Sequence, residues 1–309
     1  MKKEFSWVSR DGVTQIHGIE WIPEGEVRAV LQMAHGMVEY IDRYDEFAGF
    51  LCKQGFYVVG NDHLGHGKSV KSEAEYGFFH ETKGNEYVIG DMHKLREMTQ
   101  KKYPDAPYFM LGHSMGSFLI RQYMELYGKG LAGVIVMGTG AQPAIVLAAG
   151  RMLCRAIAAV KGWHYRSSLV DNMAFGGFNR RFEPARTDKD WLTKDEKIVD
   201  AYRANPWCSF KFTVNAYYHM FRAIQFAQDK NNIRRIPKDL PLFFVAGAED
   251  PVGNFGKHVR RAAEVCRECG VKDVSVRLYE NDRHEILNET DRQQVFEDLL
   301  KWMEERMDR

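Results

Sequence analysis

The chain has 309 residues, 43 basic against 42 acidic side chains for a net charge of +1, and 45% hydrophobic with 28% charged residues. That length suits one large α/β domain or a core domain carrying an insertion, and the composition is that of an ordinary globular protein. The balanced charge speaks against a nucleic-acid groove and against a polybasic membrane anchor, so attraction of a substrate has to be local.

The opening stretch MKKEFSWVSRDG has a basic start and no apolar core, so no signal peptide is expected. Residues 4–9 and 13–22 read as strands joined by the RDG turn at 10–12, an antiparallel hairpin. A strand at 27–34 follows, then a helix over 42–54 ending at Gly55, a strand at 56–62, a helix over 84–102 and a strand at 108–112. Next come a helix over 116–128 and a strand at 133–138. The chain closes with a strand at 242–247, a helix over 254–269 ending at Gly270, a strand at 273–280 and a helix over 289–307. Several of these eight strands are almost continuously apolar, as in strands buried on both faces of a mainly parallel sheet. Strand–helix alternation of this kind predicts a doubly wound α/β sheet.

The alternation breaks between Gly140 and Pro241. Helical patterns at 144–161, 195–204 and 209–229 carry no convincing buried strand. Most connections in compact domains run to only a few residues, so a helical cap over 141–240 is expected on a core made of 1–140 plus 241–309; ordinary sheet-covering helices are the alternative. The longest apolar run, 141–160, is interrupted by Arg151 and Arg155, which disfavours a membrane span. Five cysteines at irregular spacings fit a reduced, cytoplasmic protein. Cys266 and Cys269 lack a second pair to complete a zinc site and read as helix residues.

Chemistry concentrates in GHSMG, residues 112–116. Glycine stands two positions either side of Ser114, where a strand pattern hands over to a helix pattern. A sharp turn there lifts the serine clear of the sheet, and close neighbouring chain leaves no room for side chains at 112 and 116. A serine hydroxyl needs a general base held by an acid. Two later strand ends offer them: LFFVAGAEDPVG carries Glu249 and Asp250, and VSVRLYENDRHEILNE carries Asp282 and His284. Asp250 is preferred as the acid because the following PVG turn fixes its position; Glu249 reads as a solvated neighbour. Among the histidines, His113 is expected to point the other way on the turn, His258 lies in a helical pattern, and His164 and His219 lie in the insertion. His284 alone follows a strand downstream of the acid. Oxyanion donors are expected from the backbone N–H of Met115, after the serine, and of Met37, in the AHGMVEY loop.

DHLGHGKS (62–69) lacks the first glycine of a phosphate-binding loop, GTGAQP (138–143) has Pro143 in place of the last glycine of a dinucleotide loop, and HETKG and HEILN lack the second histidine of a zinc-protease helix. Asp62, His63 and His66 read as a hydrogen-bonded loop in preference to metal ligands. No cofactor or metal is called for.

With these residues in place the chain resembles the monoacylglycerol lipase and lysophospholipase branch of the α/β-hydrolases. The motifs HGMVEYIDRY (35–44), NDHLGHGKS (61–69), GHSMGS (112–117), GAEDPVG (247–253) and RHEILNE (283–289) carry the likeness in order along nearly the whole chain. The resemblance implies an α/β-hydrolase fold, a mostly parallel doubly wound eight-stranded sheet with an inserted helical cap over an acyl-binding channel. It maps nucleophile, acid and base onto Ser114, Asp250 and His284, and the oxyanion amides onto Met37 and Met115. The expected substrate is a small acyl ester of monoacylglycerol or lysophospholipid type, with no nucleic acid, no integral membrane segment and transient contact with a lipid surface left open. Met37 and Tyr40 are bulkier than the usual occupants of the first loop. Two other readings stay open. One is an aminopeptidase of the same fold, with Glu183, Asp188, Asp190, Asp195 and Glu196 receiving a substrate amine; the other is a catalytically silent binding protein.

Overall fold

The computed structural model describes residues 1–307. Eight strands form one sheet: β1 Lys2–Val8, β2 Gln15–Trp21, β3 Ala29–Ala34, β4 Phe56–Asn61, β5 Tyr108–His113, β6 Gly133–Met137, β7 Leu242–Gly247 and β8 Val274–Tyr279. Their spatial order is β1-β2-β4-β3-β5-β6-β7-β8. β1 pairs with β2, and β2 with β4, antiparallel; every later pairing is parallel. β3 to β7 are buried along their whole length, which is why their sequences run apolar without alternation.

Because side chains alternate across a strand, neighbouring residues feed two cores. On one face Leu31, Phe109 and Ile135 pack under helices α1 Asp45–Cys52 and α10 Arg292–Glu304 through Phe47, Phe296 and Trp302. On the other, Val30, Met110 and Val134 meet α2 Gly84–Lys102, α3 Met115–Tyr127 and α9 Lys257–Glu268 through Met92, Ile120 and Val259. The expected helix over 42–54 begins as a separate 3₁₀ turn, Ile41–Tyr44, whose Ile41 N–H donates to the Asp62 carboxylate (2.8 Å). That expected over 254–269 begins only at Lys257, because Asn254, Phe255 and Gly256 all have positive φ.

Between β6 and β7 the described chain is helical: α4 Ala144–Lys161, α5 Ser168–Phe175, α6 Glu196–Ala204, α7 Val214–Gln228 and a short α8 Lys230–Ile233. α5 had no counterpart in the sequence reading. It starts where the Ser167 hydroxyl accepts the Val170 N–H (3.4 Å), a local N-cap. α7 packs against α2 and α3, and α4 packs on α7. This helical stretch therefore rises in layers, with α7 as its floor and α4 above it.

Candidate active site

Ser114 links β5 to α3 with φ 52° and ψ −118°, a backbone state that costs a non-glycine residue about 1–3 kcal/mol. The turn is over-determined: the Ser114 N–H donates to the Met137 carbonyl (3.0 Å) and the Ser117 hydroxyl donates to the Ser114 carbonyl (2.6 Å). A Cβ at Gly112 would lie 2.3 Å from the Gly116 carbonyl oxygen, and one at Gly116 would lie 2.1 Å from that of Ala34. Both glycines answer close approach of backbone to backbone.

Asp250 lies in the turn after β7 and is fully buried. Its Oδ1 accepts the Val252 N–H (2.8 Å), so the residues after it hold it, and its Oδ2 lies 3.0 Å from His284 Nδ1. Glu249 is half-buried, and its backbone N–H donates to the Asp282 carbonyl (2.9 Å). His284 is 2% exposed, and its Nε2 has no hydrogen-bond partner among the described residues. His284 and Ser114 line one cleft. His284 Nδ1 and Asp250 Oδ2 are in contact without the geometry of a hydrogen bond, so neither ring nitrogen of His284 has a hydrogen-bond partner among the described residues.

Met37 follows the first-loop glycine, and its N–H donates to no protein acceptor among the described residues. The next residue, Val38, has φ 55°, a true outlier for a β-branched side chain. Its carbonyl accepts the Tyr202 hydroxyl (2.9 Å), so α6 helps to hold a strained turn beside the Met37 amide. Met115 opens α3, where first-turn N–H groups have no intrahelical acceptor. Met37, Ser114 and Met115 share the lining of one pocket.

Beneath them lies a buried charge network. Arg43 donates to Glu39 (2.7 Å) and, with both terminal nitrogens, to Glu285 (2.8 and 2.7 Å). Glu39 also takes the Gly36 N–H, the Tyr44 hydroxyl (3.0 Å) and His113 Nδ1 (3.2 Å). Burial opposes ionisation of Glu39, but the His113 bond and the Arg43 charge outweigh it and hold its carboxyl well below the usual range. Burial likewise disfavours charge on His113, and Glu39 overrides it and raises the imidazole. His113 lies closer to the site than its place on the turn suggested. Its ring is 4.7 Å from that of His284, and its Nε2 is 3.3 Å from the His284 carbonyl. Sequence reasoning marked Glu39, Arg43 and Tyr44 only as motif positions; the spacing E-x-x-x-R-Y was the available signal. Glu285 likewise lies in the motif RHEILNE; Tyr202 has no such signal.

The Asp62 carboxylate takes hydrogen bonds from the N–H groups of Ile41 (2.8 Å) and Lys68 (2.9 Å) and from His17 Nδ1 (2.9 Å). The DHLGHGKS stretch is a braced loop around that carboxylate.

Two cavities meet at Ser114. One, of about 170 Å³, is apolar and lies between Leu147, Leu153, Phe118 and Ile224. The other is an open cleft of about 760 Å³, lined by charged side chains including Asp171, Asp188, Lys189, Asp200, Arg203 and Lys211. Met37, Ser114 and Phe175 belong to both walls.

A parallel sheet whose central strand turns sharply onto a serine, with an acid–histidine pair at later strand ends, defines an α/β-hydrolase. Residues 25–291 match the family model Hydrolase_4, serine aminopeptidase S33, and the chain belongs to that family. It is 26% identical to a monoacylglycerol lipase of Mycolicibacterium smegmatis, an alignment covering 98% of this chain and 97% of that one. Among solved structures it superposes on a thermostable carboxyl esterase of Bacillus coagulans in complex with glycerol, at 27% identity and TM-score 0.92, over 99% of both chains. It also superposes on a lipase in an open form, at 25% identity and TM-score 0.89, over 100% of both chains.

Proposed function

We propose that this carboxylic ester hydrolase cleaves monoacylglycerol- or lysophospholipid-type esters through an acyl-enzyme on Ser114. The observation that carries the reading is the pair of unlike cavities meeting at that serine, one fitted to an acyl chain and one to a polar alcohol. His284 takes the Ser114 proton as the hydroxyl attacks the ester carbonyl, while Asp250 orients the ring and stabilises the imidazolium. The Met37 and Met115 amides receive the developing oxyanion. His284 then protonates the leaving alcohol, and the same residue activates the water that releases the acid. The division into a core of 1–140 plus 241–309 and a cap of 141–240 belongs to this proposal, the cap supplying most of the acyl wall.

An aminopeptidase reading draws less support. Of the five acidic residues considered for an amine site, only Asp188 lines the cleft, and Arg203 (3.2 Å) and Lys189 (3.5 Å) contact it. Asp190 instead accepts two local N–H groups, and Asp195 caps α6.

A transient lipid contact is part of the proposal. Ile145, Met152 and Val160 on α4 are 78%, 72% and 81% exposed, and Leu169 and Met173 on α5 are 57% and 68% exposed. Residues 141–170 contain Arg151, Arg155, Lys161 and Arg166 and no Asp or Glu, a combination suited to an anionic interface. No helix among the described residues is long and apolar enough to cross a membrane. All five cysteines are unpaired, in keeping with a cytoplasmic setting.

A fluorophosphonate probe should label the wild type and not Ser114→Ala; equal labelling would remove the nucleophile assignment. Acyl esters of graded chain length should turn over faster than aminoacyl amides, and the reverse order would overturn the esterase reading. Anionic vesicles should retain the wild type and release Met152→Ser/Leu169→Ser; equal retention would discard the lipid contact.

A further inference from the structure

The segment Asp190–Lys194 of the insertion is joined to the loop that carries His284, main chain to main chain. The His284 N–H donates to the Trp191 carbonyl (3.4 Å) and the Glu285 N–H to the Leu192 carbonyl (2.7 Å). Arg283 donates to the carbonyls of Asp190 (2.5 Å) and Thr193 (3.3 Å). The Trp191 ring lies against the His284 imidazole, 5.1 Å between centroids, and is itself 9% exposed.

One side chain clamps both layers. Glu289 is fully buried. Its Oε1 accepts the Arg283 N–H (2.7 Å), next to the histidine, and its Oε2 accepts the Thr193 hydroxyl (2.9 Å) and the Lys194 N–H (3.0 Å) in the insertion. Lys194 completes the joint by donating to Asp282 (2.8 Å), two residues before His284. None of these groups is assigned a place in the chemistry. Each acts on the backbone that fixes where the imidazole sits.

We propose that Glu289 and Trp191 are positioning residues for His284: the insertion segment 190–194, pinned by the Glu289 carboxylate, sets the imidazole against Ser114. The proposal rests on His284 being the general base. A shift of about 1 Å in a catalytic group can cost about a hundredfold in rate, and the clamp spans the two residues nearest that group in the chain. Glutamine at 289 offers one acceptor oxygen, so it can hold Arg283 or the Thr193–Lys194 pair, not both. Phenylalanine at 191 keeps a ring over the imidazole.

The test is a kinetic series on a short-chain p-nitrophenyl ester with full-length protein. Glu289→Ala and Trp191→Ala should lower kcat by about a hundredfold with KM changed less than threefold, and Glu289→Gln should lie between. Trp191→Phe should recover kcat to within threefold of wild type. In a His284→Ala background, Glu289→Gln should cost nothing further, since residues acting through one group are non-additive. A wild-type kcat in Glu289→Gln and Trp191→Ala, beside a His284→Ala variant reduced to residual activity, would overturn the proposal and leave the base assignment standing. So would a Glu289→Gln loss that persists at full size in the His284→Ala background. An active His284→Ala would instead overturn the base assignment itself. Should Glu289→Ala or Trp191→Ala fail to fold, Glu289→Gln, alone and in the His284→Ala background, decides the matter.

Discussion

The two ends of α3 treat a buried carboxylate in opposite ways. At the N-terminal end Glu39 is 3% exposed, and hydrogen bonds from Arg43, Tyr44, His113 and the Gly36 amide keep it charged. Near the C-terminal end Glu125 is 4% exposed, and neither of its oxygens has a partner among the described residues. Arg121, one helical turn away, spends its guanidinium on Thr139, Gly140 and Ala227. Burial therefore pushes the Glu125 carboxyl up to about 9, with Arg121 offsetting only part of that. Burial alone neutralises an acid; a charge persists in the interior only where donors converge on it. The end beside Ser114 has those donors; at the other, burial favours the protonated acid.

The contrast can be broken most severely at the elbow. Gly116→Ala forces a Cβ to 2.1 Å from a main-chain oxygen, and should cost more than about 4 kcal/mol in denaturant unfolding or prevent folding. Arg43→Met comes next. It leaves Glu39 and Glu285 without their shared cation and should destabilise by about 3–5 kcal/mol, with activity falling as the first loop and the histidine loop part. Glu125→Gln should act in the opposite direction. The folded-state carboxyl titrates far above its unfolded value, so wild-type stability is full below about pH 4.5 and is lost as pH rises toward about 9. The glutamine variant should gain on wild type by about 4 kcal/mol between pH 5 and pH 8. Equal pH slopes for the two proteins would show that Glu125 is ionised after all.

The elbow was legible because steric demand writes itself locally: two glycines and a change of period mark Ser114 within five residues. Asp250 and His284 were legible as polar groups at the ends of apolar strands, and the structure places them 3.0 Å apart. The parallel sheet followed from the unbroken apolar runs that fill β3 to β7. What pattern could not carry is contact between distant segments. Glu39 and Glu285 share Arg43, which reaches Glu285 across 242 positions, and Trp191 reaches His284 across 93. The positive φ of Val38 runs against its residue type, so propensity points away from it. α5 is eight residues long and starts from a serine cap, too little periodicity to stand out in an insertion rich in helical patterns.

The shared wall of Met37, Ser114 and Phe175 has a consequence for traffic through the molecule. On the proposed assignment, the alcohol departs into the wide cleft while the acyl chain still occupies the narrow apolar pocket. Water can then arrive by the route the alcohol has just vacated, with no need to pass the chain. Entry of the second reactant and retention of the first intermediate use separate doors, so an acyl group too long to leave quickly would slow turnover without blocking hydrolysis of the bond that holds it.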